Sequence, residues 1–560
     1  MKNRLSFCMV VWLFLSSIAM SSFAQSFINP VLAGFYPDPS ICRAGNDYYI
    51  VVSSFAYYPG LPVFHSKDLV NWQQIGAALN RPEQLNLDGA GVSRGLFAPS
   101  ITYHKGVFYI VCTLVDTGGN FVITATDPKG PWSKPVWLPE INGIDPSIFF
   151  DKNDKAYIVY NSDPPEKKSA YEGHRTIRMN ELDITKLKVI SDNKIIVNGG
   201  TDINQKPIWI EAPHLLKKES WYYLICAQGG TGYDHSEVVF RSKTIDGHFT
   251  PYENNPILTQ RTLDPTRSHP ITTAGHADFV ETPDGKWFAV FLACRPYEGD
   301  YYNTGRETFM APVKWQDGWP IINPGNAEVK YTYPIPVKIN ASLEKFNGNY
   351  LFKDEFNKDT INQRYSFLRT VRENWYRVDK GALTLQVRPQ TCSGSENPSF
   401  VGFRQPHLKG YAATAIQFNA IAEHEKAGLV VFQSEYHYYF LCQSVENGKP
   451  VVQLFKGAGN KGNDKQAVLL ASVPVQLKQN NNLLLKVQAN GDSYSFYYAT
   501  EKDQWKLLKQ NVDAKFLSTK EAGGFVGCMY AMYATSNGIP STTTASYQWF
   551  ECKNEDDVYK

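Results

Sequence analysis

The sequence has no excess of charge of either sign. Lys and Arg number 56 against 54 Asp and Glu, and setting aside Lys2 and Arg4 of the leader described below leaves 54 against 54. That balance gives no basic field for a nucleic-acid backbone or an anionic membrane, and no acidic tract of the kind that keeps a chain disordered. The expected partners are uncharged. Metal and disulfide spacings are also missing: the nine cysteines form no CxxC and no Cys/His cluster, so neither a zinc site nor a disulfide framework is expected. Cys112, Cys226 and Cys294 close the strand-like runs YIVC, YLIC and FLAC and read as buried thiols. Beyond the leader no apolar run approaches the ~18 residues of a membrane helix, and helical periodicity is almost absent. Aromatic rings are plentiful instead, at 33 Tyr, 32 Phe and 12 Trp. Such rings fill sandwich cores and stack on the apolar faces of sugars. At 560 residues the chain exceeds what one hydrophobic core serves, which predicts at least two domains.

The leader sets the compartment. Lys2 and Arg4 precede an apolar run from Phe7 to Ile18, then small residues and Ser22-Phe23-Ala24 before Gln25. This is the layout of a cleavable secretory signal over residues 1–24, so the mature protein is expected to be exported, to the periplasm or the medium, with no membrane span.

A unit recurs five times: DPSICRAGNDYYIVVS from Asp38, APSITYHKGVFYIVCT from Ala98, DPSIFFDKNDKAYIVYN from Asp145, APHLLKKESWYYLICA from Ala212 and HADFVETPDGKWFAVFL from His276. In each copy an aromatic follows the first residue by eleven or twelve positions: Tyr49, Tyr109, Tyr157, Tyr223 and Trp287. The copies begin 60, 47, 67 and 64 residues apart, enough for two more strands each. Period-two, aromatic and β-branched strands with Gly, Asn and Asp turns exclude helical repeats. The pattern predicts an all-β chain opening with a five-bladed β-propeller over residues 27–339, its last blade closed by a strand from the N-terminal region. Inner strands line a propeller's channel, so the opening residues should converge on one axis. Asp38 and Asp145 occupy that position, and Glu211 sits one residue before it. Three carboxylates around one funnel suit glycosidic hydrolysis, in which one acid protonates the leaving oxygen and one carboxylate activates water. A lone Asp before Pro more often caps a turn; recurrence at equivalent places argues for the site.

The motifs YPDPSI, FAPSITYH, GIDPSIFFD, IEAPHLLKK, GGTGYDH, GHADFVETPDGKW and GRETFMAPVKWQDGWP together resemble glycoside hydrolase family 43, which includes β-xylosidases and α-L-arabinofuranosidases. The resemblance implies Asp38 as general base, Asp145 as the acid that orients and tunes, and Glu211 as general acid. It also implies inversion, with base and acid roughly 6.5–9.5 Å apart. It further implies Arg295 as a sugar contact, Phe55 or Tyr57 as the stacking wall of the terminal-sugar pocket, and His235 and Arg306 as further substrate-binding residues. His276 matches an axial histidine that would face a structural Ca²⁺ or a water, and Asp354 is a second calcium candidate. No cofactor for the chemistry is implied. Where relatives commonly carry EGPH and AEGG, this chain has Ala212 and Gln228, and Phe97 and Ser100 also depart from the usual pattern.

After Pro320 a polar connector leads to alternating strands such as GALTLQVRP, AGLVVFQSEYHYYFLCQS and YQWFECK. Residues 350–555 read as a β-sandwich (jelly roll), similar to the concanavalin A-like domain that follows the propeller in family 43 β-xylosidases. It is expected to present a loop that closes one side of the funnel, with independent glycan binding as the alternative. The predicted activity is exo-hydrolysis of β-xylosidic or α-L-arabinofuranosidic bonds in plant cell-wall oligosaccharides. A non-catalytic glycan-binding propeller and an arabinan- or fructan-directed hydrolase are the alternatives.

Overall fold

The computed structural model describes residues 25–335, 344–459, 466–477 and 482–560. The leader and residues 336–339 of the expected propeller lie outside these. Among the described residues no helix is long and apolar enough to cross a membrane.

Five antiparallel sheets are built in chain order, as the five repeats require. The first runs Ser40–Ala44, Asp47–Val51, Gly60–Ser66, Gln73–Leu79, and the second Leu96–His104, Val107–Leu114, Gly119–Ala125, Val136–Trp137. The inner strands of the third to fifth are Ile144–Phe150, Glu211–Lys218 and Thr272–Glu281. Neighbouring inner strands touch one another around a ring, with the fifth returning to the first. This is a five-bladed propeller.

Its closure differs from expectation. The outer strand of the last blade, Trp319–Ile322, comes from the same blade and hairpins with Glu307–Gln316. Gln316 pairs with Trp319, and the intervening Asp317 (φ 51°) and Gly318 (φ 74°) are both left-handed. A two-residue Asp-Gly turn of this kind matches the twist of a hairpin, so the blade completes itself locally. The N-terminal strand Gln25–Ile28 pairs instead with Thr332–Ile335 in a separate ribbon. The residues that follow it touch the fifth blade through the bridge between Leu32 and Thr308 and through Asn29, whose side chain exchanges hydrogen bonds with the Met310 backbone, but add no strand to it.

The C-terminal half is a sandwich of two eight-stranded antiparallel sheets. One of them takes its edge strand from the propeller: Tyr57 and Tyr58, between the second and third strands of blade one, pair with Leu368 and Phe367. The apolar core is accordingly continuous across the junction, joining Leu61, Leu96 and Ile110 to Phe367, Trp375 and Val401. All eight cysteines beyond the leader are buried and unpaired.

Candidate active site

The first residue of every repeat has the same unusual backbone: φ is 53° at Asp38, 26° at Ala98, 55° at Asp145, 50° at Ala212 and 56° at His276. A left-handed conformation costs a residue with a Cβ about 1–2 kcal/mol. Four of the five inner strands also break register here, as between Ile144 and Ser147 and between Glu211 and His214. Bulges of this kind re-aim side chains at the rim of a sheet. The shared φ fixes the register: Ala212 is the equivalent of Asp38 and Asp145, and Glu211 belongs to the residue before it.

Asp38, Asp145 and Glu211 all line one hollow of about 540 Å³ at the mouth of the channel. Asp38 is held at both oxygens: Ser53 Oγ donates to Oδ2 at 2.6 Å and Arg306 Nη1 to Oδ1 at 3.0 Å. Burial, and then the negative charge of Asp38, push the Asp145 carboxyl up to about 7, against the pull of the Ala212 N–H, 3.3 Å from Oδ2. Glu211 rises well above the usual carboxylate range, first through burial and then through Asp145, with Arg306 opposing. Glu211 thus favours its protonated form, Asp145 gives up its proton only near pH 7, and Asp38 is fixed in an ion pair across the same space. Such a division supplies a proton donor and a proton acceptor at one pH.

The remaining expected positions separate into those facing the hollow and those behind it. Phe55, Arg306 and His276 line it, as does Phe97. Tyr57 does not. Its backbone belongs to the strand given to the sandwich, and its ring is fully buried, edge-on to Phe35. Arg295 is also absent from the hollow: its guanidinium makes a paired contact with Glu307 at 2.7 and 2.8 Å and reaches Asp556 of the C-terminal segment at 3.0 Å. The structural ion pair has taken the arginine that was expected to meet the sugar. His235 is buried outside the lining, with Nδ1 facing the Thr273 carbonyl at 3.2 Å, and burial lowers its pKa to about 4.

His276 Nδ1 lies 3.7 Å from Asp38 Oδ1, beyond hydrogen-bond range, and burial lowers its pKa to about 3. The surroundings do not suit a Ca²⁺, which seeks oxygen ligands. His235 and His214 are the other rings near His276, and both Asp38 oxygens are committed to Ser53 and Arg306. Among the described residues no group of three or more His, Cys, Asp or Glu is arranged to hold a metal. Asp354 caps a turn by accepting from the Phe356 N–H at 2.9 Å. It borders a larger cleft of about 1000 Å³ between blade one and the sandwich, which none of the three acids lines. Of the departures in sequence, Gln228 Oε1 accepts from the Thr201 N–H at 3.1 Å and so tethers a neighbouring loop. Ser100 is buried beside Ser40.

Among the lining residues that were not foreseen are Arg94, Arg175, Trp209 and Phe525. Phe525 comes from the sandwich and supplies the closing loop expected of that domain. Its N–H donates to Ser93 Oγ at 3.0 Å, and its ring lies 6.0 Å from Phe55 and 5.6 Å from Phe97, with the Arg306 guanidinium 5.5 Å away. Phenylalanines from both domains therefore wall one side of the hollow. A phenylalanine following Gly523-Gly524, over three hundred residues from the acids, gives no signal in sequence. Trp209, an aromatic two residues before Glu211, did.

Residues 27–320 match the family model for glycosyl hydrolases family 43, and residues 353–553 match that of the beta xylosidase C-terminal concanavalin A-like domain. The chain is 38% identical over 528 residues to a xylosidase/arabinosidase of Butyrivibrio fibrisolvens, covering 93% of this chain and 98% of the relative. It is 34% identical over 568 residues to the non-reducing end alpha-L-arabinofuranosidase BoGH43B of Bacteroides ovatus, covering 98% and 99%. Among solved structures, a GH43_12 retrieved from capybara gut metagenome superposes with a TM-score of 0.84 at 40% identity, covering 91% of this chain and 95% of the other.

Proposed function

Because the chain belongs to glycoside hydrolase family 43, we propose that it is an exported, inverting exo-glycosidase releasing single β-D-xylosyl or α-L-arabinofuranosyl units from xylan-derived oligosaccharides. The observation that carries this reading is the contrast between Asp38, ion-paired with Arg306, and Glu211, whose carboxyl favours its proton, at one hollow. Glu211 donates a proton to the departing oxygen. Asp38, held by Ser53 and Arg306, takes a proton from the water that attacks the anomeric carbon on the opposite face. Asp145 keeps Glu211 protonated through its neighbouring charge and binds the Ala212 N–H beside it. Phe55, Phe97 and Phe525 close one side of the hollow, which suits a terminal sugar. Export rests on the leader motif alone.

Nitrophenyl β-xyloside and α-L-arabinofuranoside test the activity directly; sugar binding with hydrolysis of neither would support a binding protein instead. Asp38→Ala should lower turnover by about 10²–10⁴-fold. Glu211→Gly should be most impaired on substrates with poor leaving groups and partly rescued by activated ones. An unchanged rate, or indifference to the leaving group, would overturn the assignments. Proton NMR of the first-formed anomer tests inversion.

A further inference from the structure

We propose that the enzyme holds the leaving-group half of its substrate outside the hollow, on the Trp209 indole and in the polar groove behind it, and that this selects a xylo-oligosaccharide leaving group of two or more units. The inference rests on Glu211 as proton donor. Whatever is attached to the oxygen that Glu211 protonates must extend on Glu211's side. The residue two positions before it is Trp209, the one tryptophan among the residues lining the hollow, and it is 38% exposed.

Its position is preset. Trp209 has φ 49°, its N–H donates to the Gly173 carbonyl at 2.9 Å, and the Arg175 guanidinium lies 4.9 Å from the ring centre. Arg175 is itself anchored on Asn161 at 2.8 Å and on Asp163. An indole pinned from one side and open to solvent is a stacking surface whose ordering cost is met before the ligand arrives. Ile208 beside it is 49% exposed and lines the neighbouring groove, so the apolar lip continues past the indole.

Behind the lip lies a second hollow of about 370 Å³, which includes Gln205, Gln228, Asp234 and Arg261 in its lining. The two spaces share a wall. Ile208 and Gly229 line the groove, Trp209 and Gly230 line the catalytic hollow, and the Gly229 N–H donates to the Ile208 carbonyl at 2.8 Å. Gly229 has φ 105°, and a Cβ there would lie 2.1 Å from the Asp234 carbonyl oxygen, so only glycine keeps this wall thin. Amides, a carboxylate and a guanidinium together match the mixed donors and acceptors of sugar hydroxyls. They do not favour a ligand of one charge. A leaving group that begins at Glu211 meets the indole first and the polar groove second.

The experiment compares kcat/KM for three substrates carrying the same pentosyl unit: its fluoride, its conjugate to one xylosyl residue, and its conjugate to xylotriose. The wild-type enzyme should prefer the xylotriose conjugate to the single-xylosyl one by about tenfold. Trp209→Ala should reduce the ratio of kcat/KM on the xylotriose conjugate to that on the fluoride by about tenfold, mainly through KM, in line with the loss of one aromatic stacking contact. Asp234→Ala, at an exposed carboxylate, should lower the preference for xylotriose over a single xylosyl residue. Equal wild-type rates across leaving-group lengths, or a Trp209→Ala loss equal on fluoride and xylotriose conjugates, would overturn the proposal while leaving the hydrolase reading intact. Failure of the wild type on all three substrates, or a Glu211→Gly variant indifferent to the leaving group, would overturn that reading instead.

Discussion

Replacing Asp145 by Asn should make the protein more stable at alkaline pH and less active. The folded protein holds the Asp145 pKa at about 7, against an ordinary value of 3.8, because the side chain is buried beside the charge of Asp38. Between those two values the folded state binds more protons than the unfolded one, so stability falls as pH rises from about 4 to about 7. Roughly three pH units at 1.36 kcal/mol each give a penalty of about 4 kcal/mol at pH 8 and none below pH 4. Asn has nearly the same shape, stays neutral throughout, and its carbonyl still accepts from the Ala212 N–H. In urea titrations the variant should exceed wild type by up to about 4 kcal/mol at pH 8 and match it within about 1 kcal/mol near pH 4. The catalytic readout moves the other way. Without the Asp145 charge Glu211 loses one of the causes that raise its pKa, so the alkaline limb of kcat/KM should shift to lower pH. A variant destabilised equally at both pH values, with an unmoved alkaline limb, would refute the reasoning.

Phe525→Ala should open the phenylalanine wall and reduce kcat/KM by about tenfold with a small change in melting temperature, because the ring is only half-buried; unchanged kinetics would remove the sandwich from the site. Arg295→Met leaves Glu307 and Asp556 without their shared cation. It should cost about 3–5 kcal/mol in chemical denaturation, and a cost under about 1 kcal/mol would contradict the buried network.

The recurrence of one strand–turn–strand unit, with an aromatic eleven or twelve residues after its first position, was enough to find the blades, because blade geometry repeats locally. The same recurrence pointed to Asp38 and Asp145, with Glu211 one residue before the equivalent position at Ala212. Choices between neighbours were not legible. Phe55 (φ 49°) faces the hollow while Tyr57, two residues on, pairs with the sandwich, and the strand that captures it lies over three hundred residues away. Arg295 and Arg306 sit at the two ends of the connection between the second and third strands of blade five, Trp287–Cys294 and Glu307–Gln316. Arg295 is removed from the hollow by Glu307 and by Asp556, a partner that the local sequence of the blade does not show. The closing strand of that blade was readable, since Asp317-Gly318 is a hairpin signal; the expectation of closure from the N-terminus passed over it.

The loan of Tyr57 and Tyr58 to the neighbouring sheet has a practical consequence for anyone dividing or recombining this protein. Cutting between the halves would strip one sheet of its margin and leave the backbone of two tyrosines without its strand partner. A replacement sandwich from another enzyme would have to accept this particular pair of residues, so the loop that carries them must travel with the half it serves.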